Sequence, residues 1–401
     1  MEHAVTLSPS PLALAQPHPG RATLSALCAS LVGIGLARFA YSPLIPALVA
    51  AGWFSASDAA YLGAANLSGY LLGALGGRPL ARRIAPAWLL RTMMALSALS
   101  FFACAQPWGF GWFFGWRLAS GIAGGIIMVL AATLVLPHVP PARRGLAGGA
   151  IFMGVGLGIA ASGTLVPRLL PLGLPQVWGG LGALSLVLTL VAWSGWPRPM
   201  PLPPAAADAP SRRHRGLGLL TAIYGLNAIG LVPHMVFLVD YASRGLGRGI
   251  EFGAGLWVVF GLGAVLGPLA TGQIGDRIGF RPTLSLALAL QVMAVTLASL
   301  TGSPLWLGLS ALVVGGFTPG IVPVVLGRIR ELTDHDPHAQ GAAWTTATAV
   351  FALGQAGGAY GLSWLFTLSG GDYPLLYRVG AGALALAFVL DLALMPRSPR
   401  P

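Results

Sequence analysis

Two arginines lie where an apolar sequence offers them nothing ionic to pair with. Arg38 sits in the middle of GIGLARFAYSPLIPAL, residues 33–48, and Arg117 falls within FGWFFGWRLASGIAGG. A guanidinium at mid-helix in apolar surroundings costs about 2.5–3.5 kcal/mol on insertion scales, so it normally faces a bundle interior or a wet cavity. Its planar fork of donors fits a carboxylate through two parallel hydrogen bonds, which the ammonium of lysine cannot copy. The chemistry this pattern suits is the capture of a small organic anion. The acids support it by their absence: no glutamate lies deep in an apolar run, Asp240 and Asp391 sit near run ends, and Asp58 begins one.

Further polar residues fall on shared helical faces. Tyr41 is one turn beyond Arg38, and Pro43 and Pro46 follow, freeing backbone carbonyls to accept hydrogen bonds. Asn66, Tyr70 and Gly73 form one stripe; Tyr224, Asn227, Leu231 and His234 form another; Trp344, Thr348 and Gln355 form a third. Each has a plain structural alternative. Arg38 can bond to backbone carbonyls or a distant acid, and Arg117 can serve helix packing or gating. Asn66 and Gln355 can be interhelical ties, worth roughly 0.6 kcal/mol each. His234 is either a proton-handling group or a satisfied core histidine.

The elements that must position these residues are membrane spans. Of 401 residues, 55% are hydrophobic and 8% charged, against roughly 25% charged in soluble proteins. All 23 basic residues are arginine. A bilayer core takes about 20 apolar residues per helix. Runs of that kind predict twelve spans, at 23–50, 57–77, 87–106, 111–136, 145–167, 175–196, 216–241, 253–275, 283–302, 305–327, 341–366 and 374–395. With a cytoplasmic N-terminus, sixteen arginines fall on the cytoplasmic side and three (Arg168, Arg244, Arg248) on the other. That bias follows the positive-inside pattern and places both termini inside. Residues 1–22 and 397–401 read as cytoplasmic tails, the first disordered, and 197–215 as a cytoplasmic linker.

The spans repeat. GYLLGALGGRPLARRI from Gly69 is similar to GAVLGPLATGQIGDRI from Gly263, an offset of 194 that also pairs Leu118 with Leu312, Gly121 with Gly315 and Ile127 with Ile321. Two further residues of offset pair Gly145 with Gly341 and Gly158 with Gly354. The prediction is an all-α integral membrane protein of two parallel six-helix bundles, 23–196 and 216–396, a known transporter plan. The Gly-x-x-x-Gly pairs Gly69/Gly73 and Gly263/Gly267 are close-packing sites.

GQIGDRIGFRP, residues 272–282, resembles the loop signature of the major facilitator superfamily, carried by Gly272, Asp276, Arg277, Gly279 and Arg281. The resemblance implies a latch for one transport conformation: charges tie helix ends and Gly279 permits a tight turn. The first-half copy, ARRIAPA, has neither the Asp nor the Gly. RLASGIAGG resembles the superfamily motif with a basic residue in the fourth span, whereas GVGLGIAASG has no Gly-Pro pair of the drug:proton antiporter kind. GIGLARFAYSPLIP, AAYLGAANLSGYLLGAL and GAIFMGVGLGIAASG together resemble the YbfB/YjiJ branch. The superfamily implies a cavity lined by the first, fourth, seventh and tenth spans and flanked by the second, fifth, eighth and eleventh.

The expectation is a secondary transporter of the bacterial inner membrane, acting as a monomer among membrane lipids. Its partners are a small-molecule substrate and a proton or another coupling ion. Substrate-binding candidates are Arg38, Tyr41, Asn66, Tyr70, Arg117, Tyr224, Asn227, His234, Trp344 and Gln355. A polyspecific exporter of amphipathic compounds is the alternative. A phosphate loop ending in Gly-Lys is excluded without lysine. An enzyme would need paired carboxylates, a metal set or an activated nucleophile within the spans. Cys28 and Cys104 carry no metal-ligand spacing. No cofactor, metal or nucleic acid is expected.

Overall fold

The computed structural model describes residues 17–140, 143–198, 216–333 and 336–394. Among them lie twelve long helical elements: α1 (Pro19–Ala50), α2 (Ala56–Ala81), α3 (Pro86–Ala103), α4 (Phe110–Val135), α5 (Arg144–Leu169), α6 (Leu174–Ala192), α7 (Leu217–Gly245), α8 (Gly249–Ile278), α9 (Phe280–Leu300), α10 (Pro304–Leu332), α11 (Pro337–Leu368) and α12 (Tyr373–Leu394). α1 begins inside the stretch expected to be tail. Pro19 suits the first helical turn, and His18 Nδ1 accepts from Gly20 N–H at 3.2 Å. Residues 1–16, linker residues 199–215 and the 397–401 tail lie outside the described residues.

Ten of these elements are long and apolar enough to cross a membrane. α2 and α11 are long enough, at 26 and 32 residues, but less apolar. Their place explains it. They pack against each other where the two halves meet, with the Tyr61 and Tyr360 rings 6.1 Å apart and Ser68 Oγ 3.4 Å from the Tyr360 hydroxyl. Helices facing protein on two sides need no full coat of lipid-facing apolar residues.

The internal repeat reappears as repeated contacts. A Cβ on Gly69 would land on the Leu118 carbonyl of α4, and one on Gly263 would land on the Leu312 carbonyl of α10. Gly73 and Gly267 meet the backbone of Ile122 and Gly316 in the same way, and Gly121 and Gly315 meet the carbonyls of Asn66 and Phe260. Every one of these pairs keeps the same sequence offset. Small residues let two backbones touch, and packing is what holds helices together where the surroundings are as apolar as the side chains. The α2–α4 contact of the first bundle is thus rebuilt as α8–α10 in the second.

The bundles also meet along α5 and α8. Gly149, Gly156 and Gly163, seven residues apart, face Leu269, Ala264 with Val265, and Val258 of α8; Gly261 answers against Ala160. A seven-residue spacing keeps one helix seam turned towards its partner.

α1 and α7 are not plain helices. α1 runs as α-helix Pro19–Ser30, π-helix Leu31–Leu36, a turn over 37–40, then α-helix Tyr41–Ala50. α7 is α-helical over Leu217–Val232, then π-helical over Pro233–Phe237 and again over Tyr241–Gly245, with one α turn between. π turns widen the backbone and recur at functional sites. Pro43, Pro46 and Pro233 withhold N–H groups here, so carbonyls are left to other partners.

Candidate functional site

Arg38 projects from the turn that follows the π stretch of α1. Its Nη2 donates to Gln355 Oε1 of α11 at 2.5 Å, a bond between the two halves. Its guanidinium lies 5.1 Å from the Phe39 ring centroid and 5.2 Å from that of Tyr70. Tyr224 of α7 is close enough to feel its charge. Arg38 Nε has no hydrogen-bond partner among the described residues.

Arg117 is placed differently. It is 3% exposed, its Nη1 donates to the Ala37 carbonyl at 2.7 Å, and its guanidinium sits 4.2 Å from the Tyr41 ring centroid. The bond ties α4 to the interrupted stretch of α1. Tyr41 is fixed in turn, its hydroxyl donating to the Ala59 carbonyl at 2.9 Å. Replacing Arg117 with alanine is expected to cost about 1.5–3 kcal/mol, the scale of a hydrogen bond to a charged group. A lower Tm in detergent, unrescued by Arg117→Lys, checks this; an unchanged Tm refutes it.

Neither arginine is paired with an acid among the described residues. The buried acid on α7 is engaged elsewhere: Asp240 accepts from Arg244 Nη2 and from the Tyr373 hydroxyl, both at 2.6 Å. Two positive charges therefore share one small cavity of about 20 Å³, lined by Arg38, Tyr41, Ser42, Arg117, Met235 and their apolar neighbours. That volume holds about one water. Beyond it, Ser42 Oγ donates to the Met235 carbonyl at 2.6 Å, joining α1 to α7. The halves are drawn together over the site.

Gln355, Tyr70, Tyr224 and Trp344 gather around Arg38 or its aromatic wall. Tyr224 is stacked on Phe351 with centroids 4.3 Å apart and lies 6.3 Å from Trp344. Three expected residues turn away. Asn66 Nδ2 donates to Ser120 Oγ at 2.9 Å and to the Arg117 carbonyl at 3.2 Å, an α2–α4 tie. Asn227 Nδ2 donates to Gln291 Oε1 of α9 at 2.8 Å. His234 Nε2 is 2.7 Å from Ser310 Oγ of α10. Ser310 gives its own proton to the Ala294 carbonyl at 2.6 Å, so the ring supplies the hydrogen through Nε2. The α7 stripe fails for a geometrical reason. Steps of i, i+3, i+7 and i+10 drift by about 80° at 3.6 residues per turn, and the π turn at Pro233–Phe237 rotates the end further. Tyr224 thus packs on Phe351 of α11, while Asn227 and His234 turn to α9 and α10.

Of the loop residues, Gly279 takes φ +88° between α8 and α9, a conformation open to glycine. The adjoining Phe280 N–H donates to Glu331 Oε1 of α10 at 3.1 Å. Arg328 Nη1 donates to Glu331 Oε2 at 2.8 Å, and Ser285 donates to Asp391 of α12. Arg281 lies close to Asp391. Gly272 is helical, and Asp276 and Arg277 are exposed. The charges at this end thus tie α9, α10 and α12 within the second bundle.

Sequence reading missed Ser42, Ser68, Met235, Gln291, Ser310 and Tyr360. A lone amide such as Gln291 within LALALQVMAVT carries the same signal that marked Asn66. Met235 had no signal, because its contribution is a carbonyl and a sulfur. No group of three or more His, Cys, Asp or Glu suited to a metal occurs among the described residues.

Residues 30–392 match the family model described as "Uncharacterised MFS-type transporter YbfB". No curated protein sequence matches. Among solved structures, the human organic anion transporter MFSD10 (TETRAN) is similar with TM-score 0.71 and 19% identity, covering 94% of this chain and 100% of that one. A D-xylose–proton symporter gives 0.70 and 16%, covering 94% and 98%. The nucleoside transporter NupG gives 0.69 and 15%, covering 94% and 99%. At such identities the likeness is one of fold.

Proposed function

Because the chain belongs to the family of YbfB-type transporters of the major facilitator superfamily, we propose that it carries a small organic anion by alternating access, held by Arg38. The observation that carries this reading is the Arg38 guanidinium at the meeting of the halves. It is bonded to a neutral amide, has no acid partner among the described residues, and keeps Nε unpartnered. A half-buried charge kept without its counter-ion is poised for a mobile one.

In this reading Arg38, Tyr70, Tyr224, Trp344 and Gln355 form the binding face. Arg117 and Tyr41 brace α1 behind it. Asn66, Asn227 and His234 hold the bundles rigid. The bundles 23–196 and 216–396 rock as units joined by 197–215, and Gly272, Asp276, Arg277, Gly279 and Arg281 latch one extreme. The protein works as a monomer in a bacterial inner membrane with both termini cytoplasmic, as the arginine bias favours. It is a carrier and not an enzyme, driven by a substrate or ion gradient. A proton is the proposed coupling ion; one structural neighbour is named a proton symporter and another an organic anion transporter.

The test is uptake into proteoliposomes of a panel of labelled organic anions, with and without an imposed pH gradient. Saturable uptake of anions, absent for neutral analogues, is expected. The rival reading is a polyspecific exporter of amphipathic compounds, favoured by the aromatic wall of Tyr224, Phe351 and Trp344. Efflux of amphipathic cations with no anion uptake would replace the first reading with the second.

A further inference from the structure

The partner that Arg38 holds in this conformation has a peculiar chemistry. The Gln355 amide oxygen is a planar sp² acceptor, the neutral counterpart of one carboxylate oxygen. It comes from α11, so the bond spans the two halves. On its other side the amide is held weakly, with Nε2 3.4 Å from the thioether sulfur of Met235. The less buried of the two cations at the site is thus bonded to a replaceable neutral group.

The surroundings are flat. Phe39 and Tyr70 lie beside the guanidinium from the first half. Tyr224, Phe351 and Trp344 form a run of rings in the second, the Tyr224–Phe351 pair inclined by only 29°. Aromatic walls favour offset stacking with a further ring at centroid distances of about 4.5–7 Å. The cavity of about 20 Å³ admits nothing larger than water. Entry must part the rings, and a planar guest needs the smallest parting, about 3.5–4.0 Å to the carbons of each wall.

Resting on the anion reading above, we infer that the substrate is a flat aromatic monocarboxylate whose carboxylate displaces the Gln355 amide from Arg38. The exchange turns an ion–neutral bond into an ion–ion pair with two parallel hydrogen bonds. It also cuts a direct side-chain bond between the halves. The substrate thereby loosens the closed arrangement that excluded it, which links binding to movement.

Calorimetric titration of the purified full-length protein at pH 7.5 tests this with three probes. Benzoate is flat and charged, cyclohexanecarboxylate is charged and of similar size but puckered, and benzamide is flat and neutral. Benzoate is expected to bind at least tenfold more tightly than either. Gln355→Leu is expected to tighten benzoate binding severalfold, because the competitor is gone. Gln355→Glu is expected to weaken it at least tenfold and to raise the ligand-free Tm, because a tethered carboxylate then occupies Arg38. Equal binding of benzamide and benzoate would overturn the anion reading itself. Equal binding of the two acids, with benzamide inert, would leave that reading standing and overturn the aromatic preference, as would failure of all three to bind. Gln355→Leu and Gln355→Glu variants that both bind benzoate like the parent would overturn the displacement.

Discussion

Arg38→Gln is expected to reduce anion uptake by two to three orders of magnitude while the protein still inserts and folds. Truncating one partner of a buried hydrogen-bonded charge pair costs about 2–5 kcal/mol, and about 1.4 kcal/mol is tenfold. Glutamine keeps polarity and most of the length, so the loss is one of charge and fork geometry. Folding survives because the side-chain bond Arg38 makes is to Gln355, with two rings beside it. Arg38→Lys is expected to recover little, since an ammonium cannot make the parallel pair of bonds. Initial uptake rates in proteoliposomes at matched protein density measure both. Rates within twofold of the parent for Arg38→Gln would remove Arg38 from the transport site.

The second large effect falls on stability and has nothing to do with substrate. Gly69→Val and Gly263→Val are expected to cost about 3 kcal/mol or more each, the upper range for overpacked cores. At both positions a Cβ meets a carbonyl oxygen of the facing helix, and the next atoms are also backbone: Ile122 N at 2.9 Å and Gly316 N at 2.8 Å. A flexible side chain can swing aside; a helix backbone cannot, so α2 must part from α4, or α8 from α10. Gly76→Ala and Gly115→Ala are the controls, because nothing lies within 4 Å of either new Cβ. Tm and monodisperse yield after extraction give the readout. Losses at one repeat position and none at its counterpart would break the equivalence of the two contacts.

The glycine pairs were legible in the sequence, because contact between helix backbones demands small residues at fixed spacing and the offset of 194 residues recurs in GYLLGALGG and GAVLGPLAT. The long helices were legible too, ten of them by length and apolarity together, because those are local properties and a bilayer reads them locally. So was the shelter of Arg38, since the energetic penalty of a guanidinium in lipid is independent of which neighbour relieves it.

What the neighbours are was settled only by the tertiary structure. Gln355 lies 317 residues from Arg38 in the chain, and its approach depends on how the bundles dock. Arg117 reads like a second anion ligand until the π stretch of α1 presents the Ala37 carbonyl to it. The stripe from Tyr224 to His234 divides between an interface and a core because helical drift and a π turn add up along α7. Periodicity assigns a residue to a face of its own helix. Which neighbour that face meets is a property of packing between distant segments, and no local pattern of residues encodes it.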